Sequence, residues 1–143
     1  MSVSADSTST PRPADAPCHT YDYAIIRVVP RVERGEMINV GVILSCPDKA
    51  FLEARIDVDE ARLLAFNPAV DLDAVREHLA TIPITCKGGA DAGPIGALPQ
   101  RARFHWLVAP RSTIIQMSPV HTGRTDDPAA ALERLLDRMV RTQ

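Results

Sequence analysis

An α+β domain, a mainly antiparallel sheet of about five strands (a three-stranded meander plus a hairpin) with two or three packed helices, is predicted by three observations. Short β-rich runs with alternating apolar residues come first, and Gly-, Pro- and Asp-containing turns separate them. Stretches with helical apolar spacing and acidic N-caps follow.

The first strand is predicted over residues 21–29, rich in Tyr, Ile and Val and stopped by Pro30. The second, over 37–46, opens from an Arg34-Gly35 turn. It has apolar even positions, Ile38, Val40, Val42 and Leu44, and two poor strand formers at odd ones, Asn39 and Gly41. The third covers 51–58, after a Pro47-Asp48-Lys49 turn. A short helix over 59–66 is capped by Asp57 or Asp59 and closed by Asn67-Pro68. The next begins at Asp71 or Asp73, places Leu72, Val75, Leu79 and Ile82 on one face, and ends before Pro83. Residues 86–103 read as a Gly- and Pro-containing loop with no phosphate-binding pattern. Strands over 104–109 and 113–118 form the hairpin, with Phe104 and Trp106 as core residues. Asp127-Pro128 starts a last helix with Ala131, Leu132, Leu135, Leu136 and Met139 as its buried stripe.

Alternation fixes a register for the meander, because a slip of one residue sends every side chain to the wrong face. Keeping the even residues on the core side pairs Gly41 with Arg55, Asn39 with Asp57 and Arg27 with Asn39. The core rows become Ile26–Val40–Ile56 and Ala24–Val42–Ala54. The opposite face then carries the row Arg27–Asn39–Asp57, with Arg55 lying over the gap at Gly41. Glycine inside a strand often marks a place of close approach. This row supports two readings: a satisfied structural network, or a notch for a small ligand or partner peptide in which the Arg pair binds an anion or carboxylate. Tyr23, Ile25, Met37, Ile43 and Phe51 lie on the same face, which must be covered by helices or used as an interface.

Other candidates carry weaker signals. Arg34 and Glu36 read first as a surface ion pair. Arg111-Ser112 sits at a turn whose guanidinium and amides suit a phosphate. His121, in His121-Thr122-Gly123, is a turn histidine without a second ligand at metal spacing. A catalytic pocket would need Arg27, Arg55, Glu36 and His121 to converge on an anionic or phosphorylated substrate.

At 143 residues the chain is one domain. Its net charge of −2 and 4% aromatic content argue against nucleic-acid binding. Fourteen of the 16 basic residues are Arg. The three cysteines are far apart, which fits neither a disulfide framework nor a zinc site and points to a reducing, cytoplasmic setting. Residues 1–19, rich in Ser, Thr, Ala, Pro and Asp, read as a disordered arm before a domain over 20–143. No run is long enough to span a membrane. No cofactor motif is present, and self-association stays open.

The stretches Y-D-Y-A-I-I-R-V-V-P, R-G-E-M-I-N-V-G-V-I-L and W-L-V-A-P-R-S-T-I-I-Q-M-S-P-V-H-T-G, followed by a D-D-P helix start, resemble the uncharacterised bacterial family DUF3037 from residue 21 to about 140. That family has no established active site, so the resemblance supplies no catalytic residue. It implies a setting beside a HipA-like serine/threonine kinase of the kind used in toxin–antitoxin modules, and hence an accessory protein that binds or restrains such a kinase.

Overall fold

Every strand of the sheet except β3 pairs with or lies directly beside one long strand at its centre. The computed structural model describes residues 18–111 and 113–141. In chain order the elements are β1 (His19–Arg31), β2 (Glu36–Cys46), β3 (Phe51–Ile56), α1 (Glu60–Phe66), α2 (Leu72–Lys87), α3 (Gln100–Val108), β4 (Ile115–Met117), β5 (His121–Thr125) and α4 (Pro128–Met139). The five strands form one antiparallel sheet in the order β3-β2-β1-β4, with β5 also on β1. The α+β class is therefore as expected. All but the last two residues of the expected 1–19 arm lie outside the described residues, and His19 already belongs to β1.

β1 is long enough for β5 to take its first half and β4 its second along one edge. Ser118 spans the break between them. Its amide donates to Ile25 O (2.9 Å) and its hydroxyl accepts from Ile25 N (2.8 Å), so no backbone group of the buried Ile25 is left unpaired.

The meander forms, but its register differs from the expected one. β2 carries a bulge: Arg27 faces Asn39 and Ile26 faces Gly41, leaving Val40 as the extra residue. Side-chain parity changes there. Ile38 and Val40 join one apolar cluster, and beyond the bulge Ile43 does, while Val42, Leu44 and Cys46 turn to the other. Gly41 consequently pairs with Ile56 and Arg55 with Val42, so neither the Gly41–Arg55 nor the Asn39–Asp57 pairing occurs. The rows are Ile26–Gly41–Ile56 and Ala24–Ile43–Ala54. Strict alternation cannot foresee this, because both parities of β2 are apolar after residue 40.

The two clusters occupy opposite faces of the sheet, since Ala24 and Ile26 belong to one and Ile25 to the other. On the first face pack Leu63 of α1, Val75, Leu79, Ile82 and Cys86 of α2, and Phe104 and Leu107 of α3. On the second, α4 lays Ala131, Leu132, Leu135 and Leu136 over Ile25, Val42, Leu44 and Cys46, with Tyr21, Tyr23 and Phe51 at the margin. Each large side chain buried this way contributes about 1.5–3 kcal/mol. Of the two alternatives for the Tyr23/Ile25 face, cover by a helix is the one that occurs, and Ile43 lies on the other side.

Two helix boundaries also differ. Residues 104–108 are helix, not strand: Phe104 and Leu107 are buried at helical spacing while Trp106 faces outward at 42% exposure. The predicted 104–118 hairpin is therefore absent, and β4 pairs with β1 instead. α2 runs through Pro83 to Lys87, because Ile82 and Cys86 still reach the core. That burial offsets the roughly 3 kcal/mol an interior proline costs. The expected caps do form: Asp59, Asp71 and Asp127 accept from the amides of Arg62, Ala74 and Ala130. Among the described residues no helix is long and apolar enough to cross a membrane.

Candidate functional site

The polar row of β1 and β2 meets the end of α4. Arg27 Nε donates to Asn39 Oδ1 at 3.2 Å, and Asn39 Nδ2 donates to Met139 O at 2.9 Å. The amide thus satisfies a carbonyl of the last helical turn, which has no partner within the helix. Asp57 does not join this row. Its Oδ2 accepts from Arg141 Nε at 3.0 Å, and Arg141 also reaches Asp137 (2.7 Å) and Glu133 (3.3 Å). Arg55 Nε binds Glu133 at 3.3 Å and its Nη1 binds Glu53 at 3.2 Å. The hydrogen bonds that Arg141 donates to Asp137 and Asp57 hold its guanidinium above its ordinary pKa. Solvent screens such exposed pairs, so together they orient α4 more than they stabilise it.

Gly41 has a different task from the expected one. A Cβ there would lie 2.6 Å from Arg55 O and 3.1 Å from both Ile26 Cδ1 and Ile56 Cγ1. The glycine admits a neighbouring backbone carbonyl, not the Arg55 guanidinium. Next to the α4 end is an open cavity of about 540 Å³ whose lining includes Asn39, Asp57, Asp59, Glu60, Arg62 and Arg141. Most of its charges are engaged within the protein: Asp57 by Arg141, Glu60 by Arg76 (2.7 Å), and Asp59 as the α1 cap. Neither Arg27 nor Arg55 lines it.

Glu36 pairs with Arg34 at 2.9 Å on the surface, opposite Arg31, whereas His121 lies opposite Tyr23 and stacks on its ring at 5.3 Å. At about 3.3 Å per residue these positions are roughly 26 Å apart along β1. The Arg27/Arg55/Glu36/His121 pocket therefore does not form. Among the described residues no group of three or more His, Cys, Asp or Glu side chains could hold a metal ion. Cys46 and Cys86 are buried free thiols, and burial pushes Cys86 up to about 12, where it stays protonated and unreactive.

Two polar clusters escaped the sequence reading. In the first, Asp22 lies in register with Thr122 on one side and Ser45 on the other. Arg101 of α3 reaches over to bind both Asp22 and Ser45 Oγ, and Thr122 Oγ1 donates to Asp22 at 2.8 Å. Burial works to raise the Asp22 carboxyl, but the hydrogen bonds from Arg101 and Thr122 prevail and hold it below its ordinary 3.8. Tyr21-Asp22-Tyr23 and His121-Thr122-Gly123 both stand out in the sequence, but only the register of β5 on β1 pairs them residue for residue. Gly123 seats the Tyr21 ring, which a Cβ would approach to 2.5 Å. In the second cluster, Arg103, buried, donates to Thr85 O (2.9 Å), Leu98 O (2.6 Å) and Cys86 O (3.2 Å) and so caps the C-terminus of α2 with a cation. Gly88 makes room for it: a Cβ there would lie 2.8 Å from Arg103 Cζ.

The outer side of α2 and α3 is unlike all of this. Arg111 donates to Trp106 O (2.8 Å) and Leu107 O (3.3 Å), which puts its guanidinium 4.5 Å from the Trp106 ring centroid. Ser112, its predicted companion at a phosphate-binding turn, lies outside the described residues. Two cavities share Trp106 and Thr81. One, of about 180 Å³, runs toward His78, Arg111 and Met117, and one of about 260 Å³ toward Ile84 and Ile95. Ile84 and Trp106 are each 42% exposed. The result is an apolar furrow with an aromatic ridge and a cation on it.

A family model described as "Protein of unknown function (DUF3037)" matches residues 23–140. No curated protein and no solved structure matches the chain.

Proposed function

The chain belongs to the DUF3037 family, and from that premise we propose that it is a non-enzymatic protein-interaction module whose contact surface is the furrow around Trp106. The observation that carries this is the half-exposed Trp106 with Arg111 stacked on it between two apolar cavities. Trp and Arg dominate the energetics of protein interfaces, especially where the guanidinium is already held in place. The setting implied by the family resemblance makes a HipA-like serine/threonine kinase the partner to test, in a bacterial cytoplasm. The buried free thiols are consistent with that compartment.

The test is calorimetric titration of a HipA-like kinase with the unmodified chain and with Trp106→Ala. The expected result is measurable binding that the substitution weakens by roughly 30-fold or more, with the melting temperature nearly unchanged. Absence of binding, or equal affinity for both proteins, overturns the proposal. The cavity beside Asp57 and Arg62 supports a second reading, a small-ligand site, because its volume falls in the usual range for one. A metabolite panel that raises the melting temperature of the unmodified chain but not of Arg62→Ala would favour it.

A further inference from the structure

The free edge of β3 carries a pattern complementary to itself. β3 pairs with β2 on one side, and among the described residues no strand lies on the other. The bond from Asp57 N to Val40 O (2.7 Å) sets the phase of the ladder. Inward and outward amides alternate, so Phe51, Glu53 and Arg55 turn their backbone groups toward β2, while Leu52, Ala54 and Ile56 turn theirs outward. Free edges in soluble proteins are usually blocked by proline, a bulge, like charges or a covering segment. β3 reads Phe-Leu-Glu-Ala-Arg-Ile, with no proline and with charges of opposite sign two residues apart.

We infer that two copies of this chain pair antiparallel through β3, centred on Ala54, and join their sheets into one. In that register Ala54 faces its own counterpart, and Leu52 faces Ile56 of the second copy. These are the residues whose amides point outward, so roughly six intermolecular backbone hydrogen bonds form. On the α4 face Glu53 stands opposite Arg55 of the second copy, and Arg55 opposite Glu53. The charge match occurs twice by symmetry. Glu53 and Arg55 are both half exposed, so each can reach across the new seam while keeping its own contacts. On the other face a cleft of about 400 Å³ between residues 50–54 and Pro83, Cys86 and Lys87 leaves room beside the strand. A symmetric edge contact closes after two copies and does not propagate, because each chain offers one β3.

Sedimentation of the full chain from micromolar to millimolar concentration tests this. The expected species is a dimer. Ala54→Pro, which removes an outward amide and spares the β2 ladder, yields a monomer with an unchanged circular dichroism spectrum. Glu53→Arg and Arg55→Glu each oppose like charges across the seam and weaken the dimer roughly tenfold or more. Mixed in equal amounts, those two variants restore opposite charges at every crossing and recover a heterodimer. A chain that stays monomeric, or a dimer indifferent to Ala54→Pro, overturns the inference. Failure of the mixed pair to associate overturns this register.

Discussion

The two sides of the sheet use their residues in opposite ways. On the α4 side, Asn39, Asp57, Arg55 and Glu133 are polar and engaged with one another or with α4, tying the end of one helix to the strands beneath it. On the α2–α3 side the layer is fastened from below by Arg103 and its upper surface leaves Trp106 and Ile84 half exposed. The polar residues of a prominent sequence stretch are thus engaged in holding α4, and apolar residues of α2 and α3 make the accessible surface. Charged side chains gain little from facing water alone and readily find partners near a helix end. Trp106, even with Arg111 stacked on its ring, keeps 42% of its surface exposed.

The largest effect should come from the point where β2 changes sides. Gly41→Val drives a Cβ against the Arg55 carbonyl, which cannot move without breaking the ladder, and should cost about 3 kcal/mol or more. Ile43→Val, two residues on, should cost about 1 kcal/mol. Denaturant unfolding of both variants measures the difference, and equal midpoints would remove the bulge from the account. Next, Arg103→Ala leaves three carbonyls in the α2–α3 layer without their cation and should lose about 2–3 kcal/mol, read by thermal melting. On the α4 side, Asn39→Ala frees Met139 O and Arg27 together and should lose about 1–2 kcal/mol. Faster hydrogen exchange confined to the last turn of α4 would show that the helix end is what the amide holds.

Acid should act through the Asp22 cluster. Its carboxyl has a folded-state pKa below the unfolded value, so its contribution is fully present above the ordinary value of 3.8 and is lost as pH falls through the lower, folded value. Asp22→Asn should therefore flatten the decline in melting temperature below about pH 4. An unchanged acid limb would mean that other carboxylates govern it. The smallest effect on stability belongs to Trp106→Ala, expected within about 1 kcal/mol because the ring is half in water, although partner binding should fall most.

Much of the fold was legible in the chain. The three meander strands, the caps at Asp59, Asp71 and Asp127 and the buried stripe of α4 all rest on local chemistry, and local chemistry is written in neighbouring residues. Residues 104–108 misled because Phe104, Trp106 and Val108 also alternate. Over five residues the strand and helix periods differ by too little to separate them, and the burial of Leu107 decides for helix. Asp22, Thr122 and Ser45 could not be grouped beforehand, since their meeting depends on how β5 and β2 align with β1.

By itself the amino-acid order determined an antiparallel α+β sheet, the contact of Arg27 with Asn39, and a last helix with one apolar stripe. Those follow from alternation, capping and turn residues that act over a few positions. Only the tertiary structure decided that Val40 is a bulge, that α4 is what covers the Tyr23/Ile25 face, and that Trp106 stands outside. With both parities of β2 apolar beyond Gly41, the side each residue takes is chosen by the helices that pack there and not by the strand.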